Sequence, residues 1–183
     1  MNRTAANNIV NLFTSILFLT LPACATFSSH GITEVPKINV ANVKSLPLRN
    51  IPANTLSLTI MDNRDNSLRE NTAELQKELQ RALTAILRSQ GITVVKENPT
   101  NLLFSVQDQQ VGEDKEGCVK MNAMLAIPKV ANLYSDAVSC VETKSPVSTV
   151  TMGSNISQAY EMGLTTVFKS LSTNLQKLTP VKK

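Results

Sequence analysis

Residues 118–143, CVKMNAMLAIPKVANLYSDAVSCVET, decide the fold. Val119, Met121, Ala123 and Leu125 alternate with Lys120, Asn122 and Met124, the period-2 signature of a strand with one buried face. Pro128-Lys129 interrupts the run, and Leu133 to Thr143 reads as a second strand. A turn centred on Lys129 sets position 118 directly opposite position 140 in an antiparallel pair. A bridge between Cys118 and Cys140 is then a cross-strand staple. It lies on the face of Lys120, Asn122 and Asp136, away from the core, and a core-side bridge requires a register slip. Closing a loop on the order of 20 residues stabilises by about 3 kcal/mol in the chain-entropy model.

Upstream, Leu102, Phe104 and Val106 alternate with Leu103, Ser105 and Gln107 in another strand, joined to the hairpin by a charged loop over 112–117. Ile92–Val95 reads as a short strand. Leu56, Leu58 and Ile60 alternate with Ser57, Thr59 and Met61, and this strand ends in the polar turn Asp62-Asn63-Arg64-Asp65-Asn66. Between them lies a helix. Asn71 with Glu74 three residues later has the form of a capping box, and Leu75, Leu79, Ala82, Leu83, Ile86 and Leu87 fall on one face. Gly91 supplies the left-handed C-terminal cap. Downstream, a second helix is capped by Ser154 or Asn155 and carries a stripe from Ile156 through Tyr160, Leu164 and Phe168 to Leu178. Gly163 inside it costs about 1 kcal/mol relative to Ala and points to close packing against a neighbour.

The order strand–helix–strand–strand–strand–strand–helix, with one apolar face per element, predicts an α+β two-layer sandwich. Its sheet has four to five mostly antiparallel strands, and both helices pack on one face.

The N-terminus has a different grammar. Arg3 is followed by an apolar run from Ile9 to Leu21, too short for a permanent span of roughly 20 residues and suited to an export signal. It closes on Leu21-Pro22-Ala23-Cys24, where Leu and a small residue precede a cysteine as in a bacterial lipobox, with Pro22 the unusual position. The competing reading takes Ala23-Cys24-Ala25 as an A-x-A cleavage site that releases a soluble protein. The lipobox reading makes residues 1–23 a signal peptide and Cys24 the lipid acceptor, held in a membrane by several acyl chains at about 0.8 kcal/mol per buried methylene. Residues 24–53, interrupted by Pro36, Pro47 and Pro52, read for the most part as a flexible tether, with the short β-type run Ile38 to Val43 the one part suited to pair with the domain. Residues 54–180 are one periplasmic domain, and 181–183 a basic tail. Lipidation of Cys24 leaves Cys118 and Cys140 as an even pair in an oxidising compartment.

Formal charge is +4, of which Arg3 leaves with the signal. A surplus that small, without a basic cluster, gives no nucleic-acid binder. The sparse aromatics and absent Trp require an aliphatic core.

The segments Cys24-Ala25-Thr26, Asp62-Asn63-Arg64, Arg88-Ser89-Gln90-Gly91 and the amphipathic helix from Asn155 together resemble the YajG-type outer-membrane lipoproteins. That resemblance implies an outer-membrane, periplasm-facing, lipid-anchored protein of undefined biochemical role. The pair Cys118 and Cys140 is not a feature expected of that family.

Catalytic chemistry finds little support. His30 is the only histidine and sits in the tether, so a histidine triad or a His/Cys metal cluster has no material. No glycine-rich phosphate loop occurs, and no cofactor or metal is expected. Asp62 and Asp65 flanking Arg64 read first as turn chemistry. Glu113, Asp114 and Glu116 lack calcium-loop spacing. The outward sheet face is less polar than plain solvent exposure requires. Met61, Asp62, Arg64, Leu103, Met124, Tyr134 and Val138 are the candidate interaction surface, for an envelope protein, a second copy or peptidoglycan. The expected function is a non-enzymatic envelope lipoprotein. A lipid or small-ligand carrier, or a carboxylate hydrolase, are the alternatives.

Overall fold

The computed structural model describes residues 35–65, 71–111, 117–142 and 152–178. The stretch read as a signal, Cys24, His30, the acidic loop at Glu113, Asp114 and Glu116, and the basic tail lie outside the described residues.

Strand β1 (Thr55–Asp62) leads to helix α1 (Thr72–Ser89), and β2 (Thr93–Val95) and β3 (Asn101–Val111) follow. The hairpin β4 (Gly117–Ile127) and β5 (Ala131–Val141) precedes helix α2 (Met152–Lys177), which starts two residues before Ser154. The sheet order is β2-β1-β3-β4-β5. It is mixed: β1 runs parallel to β2 and β3, while β3, β4 and β5 pair antiparallel. Parallel pairing follows from α1, which carries the chain back to the starting end of β1 before β2 begins.

Cys118 pairs with Cys140 across the hairpin and the two are disulfide-bonded, their Cα atoms 4.1 Å apart. The register forms because the turn at 128–130 holds Lys129 in the left-handed region (φ 61°). Helix α1 begins after Asn71, although that side chain does not cap it. It ends in a Schellman motif, with Gly91 at φ 78°, its N–H donating to Arg88 O, and Ile92 N–H donating to Leu87 O.

Both helices bury their stripes against one sheet face, α1 over β1 and β2 and α2 over β4 and β5. Leu56, Phe104, Met121, Leu83, Tyr160 and Phe168 are fully buried between them. The middle of strand β5 presents Ser135, Ala137 and Ser139 to this core, between the partly buried Leu133 and Val141, and small side chains there let α2 lie close. Gly163 is the point of nearest approach. A Cβ there would stand 2.7 Å from Met121 Cε and 2.9 Å from its Sδ. Gly163→Ala therefore sets an overpacking cost of about 1–3 kcal/mol against a helix-propensity gain of about 1 kcal/mol. The expected result is a lower urea midpoint; a raised midpoint would mean Met121 swings aside without cost.

The segment before β1 departs from the expected tether. From residue 35 it crosses both helices as a strap and buries Ile38, Val43, Leu48 and Ile51 in the core. The backbone N–H groups of Ile38 and Asn39 donate to Glu78 Oε1 of α1 and Glu161 Oε1 of α2, each at 2.8 Å. Further along, Leu48 N–H donates to Gln90, and Ser172 donates to Pro47 O. The prolines that suggested looseness instead suit an extended chain, whose backbone donors are satisfied by helix side chains rather than by a ladder.

Candidate functional site

On the face away from the helices, strand register sets the candidate surface residues in rows. Thr59, Leu103, Met124 and Tyr134 lie side by side across β1, β3, β4 and β5. Met61, Ser105, Asn122 and Asp136 form the next row, and Lys120 with Val138 the one beyond. Tyr134 and Val138 are 62% and 69% exposed and Met61 42%, while Leu103 and Met124 are half-buried by their neighbours. The disulfide closes this face at one end. Its other end is not open as expected. Residues 96–100 must cross β1 to connect β2 with β3, and they do so over Ser57, whose hydroxyl donates to Asn98 O at 3.0 Å and which is buried beneath them. A small residue at that point leaves room for the crossing chain.

Asp62 and Arg64 do not belong to this surface. Asp62 shares the parity of Leu56, Leu58 and Ile60, so it points to the helix side, and its side chain is 1% exposed. The Arg64 guanidinium grips it with both arms, Nε to Oδ1 and the terminal nitrogen to Oδ2, each at 2.8 Å. Thr72, at the first turn of α1, donates to Oδ2 at 2.7 Å. The other guanidinium arm donates to Gln109 Oε1, which also accepts from the Tyr160 hydroxyl at 2.9 Å. This network ties the end of β1 to both helices and to β3. Gln109 reaches it because a bulge after Val106 reverses the alternation of β3, turning Gln109 to the core side. Burial pushes the Asp62 carboxyl up, but hydrogen bonds from Arg64 and Thr72 outweigh it and hold the group below the ordinary aspartate range. Burial pushes the Tyr160 phenol well above its usual value, so it stays a neutral donor. The turn reading of Asp62 captured one contact, the Arg64 N–H to Oδ1, and missed the rest.

A groove of about 940 Å³ opens between the strap and α2, lined by Lys37, Asn42, Lys44, Ser157, Glu161 and Thr165 among others. Sequence reading did not find it, because it dissolved the strap into linker. Glu161 is 7% exposed, and its carboxylate holds the strap, accepting from Asn39 N–H and from Asn42 Nδ2 at 2.9 Å. On α1, hydrogen bonding from the Arg81 guanidinium, with help from the Ile38 N–H, holds Glu78 below the ordinary glutamate range. Among the described residues no three His, Cys, Asp or Glu side chains are placed to hold a metal, and no helix is long and apolar enough to cross a membrane.

The architecture is that of an α+β protein with two helices on one face of a five-stranded mixed sheet. No protein-family model and no curated protein sequence matches the chain. Among solved structures it is similar to a DUF330-family protein of Xanthomonas campestris, at 13% identity and a TM-score of 0.48, covering 80% of this chain and 99% of that one. It is also similar to the rare lipoprotein B of Shewanella oneidensis, at 11% identity and a TM-score of 0.40, over 67% of this chain and 93% of the other. A minor lipoprotein of Acinetobacter baumannii is similar at 11% identity and a TM-score of 0.36, over 70% and 92%. Likeness at that level identifies neither family nor function.

Proposed function

We propose that this chain is an exported, non-enzymatic envelope lipoprotein, anchored through Cys24 to the periplasmic side of the outer membrane, whose open sheet face binds a protein or peptidoglycan partner. The observation that carries the interaction reading is the exposure of Met61 on β1 and of Tyr134 and Val138 on β5, on a sheet face that the helices leave bare. The anchor rests on Leu21-Pro22-Ala23-Cys24 after a short apolar run, together with the resemblance to YajG-type lipoproteins. The disposition of the acids also supports a non-enzymatic role. Asp62 is spent on Arg64 and Thr72, Glu161 on the strap, and Glu78 on Arg81 and Ile38. A lipid carrier needs an apolar cavity between helices and sheet; there Leu56, Phe104, Leu83 and Phe168 fill the space.

Labelled palmitate is expected to enter the protein and to be lost with Cys24→Ser; a soluble mature form beginning at Thr26 would overturn the anchor. For the sheet face, a photo-crosslinking residue at position 134 or 138 is expected to capture a discrete envelope partner. The same residue at Gln80, on the exposed side of α1, should not. Recovery of monomer alone from both faces would defeat the interaction reading.

A further inference from the structure

We propose that the groove between the strap and α2 seats the headgroup of an anionic phospholipid, so that the domain lies strap-side down on the membrane. This rests on the anchoring of Cys24.

The reach of the chain is the first argument. Only residues 25–34 separate Cys24 from Val35, where the strap begins and the wall of the groove is formed. Fully extended, such a segment spans at most about 35 Å. As a flexible coil its ends average roughly 17 Å apart. Either length is no greater than the breadth of a domain of this size, about 35 Å across. The first face to meet the headgroups is therefore the one through which the chain enters.

Charge is the second. Lys37 and Lys44 stand on the two sides of the short turn at Val40–Asn42, both exposed, and neither ammonium has an ion-pair partner among the described residues. Glu161 is the only acid in the lining, and the strap's own donors occupy its carboxylate. The groove thus carries two exposed ammonium groups against one buried carboxylate, a surplus of one positive charge, and the exposed Gln158 of α2 adds an amide to the lining. Met162, 46% exposed on the same helix face, gives the lip an apolar contact for the glycerol region. Each lysine near an anionic leaflet contributes about fivefold in binding. That is weak for a free protein and sufficient for one already tethered, because the tether makes docking intramolecular.

Orientation follows. The strap bonds to the helices, and the helices lie on one face of the sheet, so docking by the strap turns Met61, Tyr134 and Val138 away from the bilayer.

The test uses the full lipidated protein in vesicles of phosphatidylcholine alone and of phosphatidylcholine with phosphatidylglycerol. Labelling of individual lysines by an amine-reactive reagent is read by mass spectrometry. Lys37 and Lys44 should label about fivefold more slowly in the phosphatidylglycerol vesicles, and 0.5 M salt, on the order of a 4 Å screening length, should abolish the difference. Lys120, exposed on the open sheet face, should label equally in both. Equal labelling of all three lysines in both vesicles overturns the proposal. So does equal protection of Lys37 and Lys44 by inorganic phosphate without phosphatidylglycerol, since the groove is then a soluble-anion site. Palmitate incorporation is scored on the same preparation, so a failed anchor is distinguished from a failed docking surface.

Discussion

Arg64→Met is expected to lower the unfolding free energy by about 3–5 kcal/mol, the scale for breaking a buried ion pair by removing one partner. The Asp62 carboxylate would keep Thr72 but lose both guanidinium arms, and Gln109 would lose one of its two donors. Since single domains hold only about 5–15 kcal/mol in total, a loss of that size removes a large share of the stability. The pH dependence separates this cause from lost packing. In the parent protein the folded Asp62 pKa lies below its unfolded value, so its contribution is present above pH ~4 and is lost as the pH falls through the folded pKa. Without Arg64, burial dominates and the sign reverses: the folded pKa rises above the unfolded one. The penalty is then greatest at neutral pH and shrinks toward pH 4, where the acid is neutral. Asp62→Asn combined with Arg64→Met should recover most of the loss at pH 7. Urea unfolding at pH 7 and pH 4 checks both points, and a pH-independent loss would show that the guanidinium acts through packing alone.

Removal of the strap is the second large expectation. A chain beginning at residue 35 should unfold at the same denaturant midpoint as one beginning at residue 25. One beginning at residue 54 should lack a cooperative transition and bind a hydrophobic dye. Ile38, Val43, Leu48 and Ile51 are each buried, and each contributes about 1.5–3 kcal/mol of transfer free energy. Glu161, nearly inaccessible, would also lose two of its donors. A true tether could be cut at either position at no cost, so an unchanged midpoint for the shorter chain would refute the strap's structural role.

The contrast between strap and hairpin shows what a single sequence displays. The register of β4 with β5, the Cys118–Cys140 pair and its outward face were legible because alternation with a period of two, plus one turn position, fixes every facing residue. The cap at Gly91 and the close approach at Gly163 were legible for a similar reason: a glycine in a helical pattern has few local explanations. The strap was not legible. Its buried residues recur at no helical or strand period, and its backbone N–H and C=O groups are bonded by side chains 40 to 125 positions away. Arg64 was misplaced on the surface because its partner Gln109 comes from a bulged strand and is itself held by Tyr160 of a distant helix. Asp62 itself carried a readable signal, its parity with Leu56, Leu58 and Ile60, which the reading of the polar turn overrode.

The strap also sets a schedule. Its partners Ser157, Glu161, Thr165 and Ser172 all lie in the final helix. A chain that emerges N-terminus first, from a ribosome or a translocation channel, therefore presents the strap first and its docking site last. Contacts this distant in sequence slow folding and postpone it until nearly the whole chain is out. Until α2 appears, Ile38, Val43, Leu48 and Ile51 have only α1 to rest on. The latch that closes the native structure is thus unable to close early, and a chain in transit stays threadable to its end.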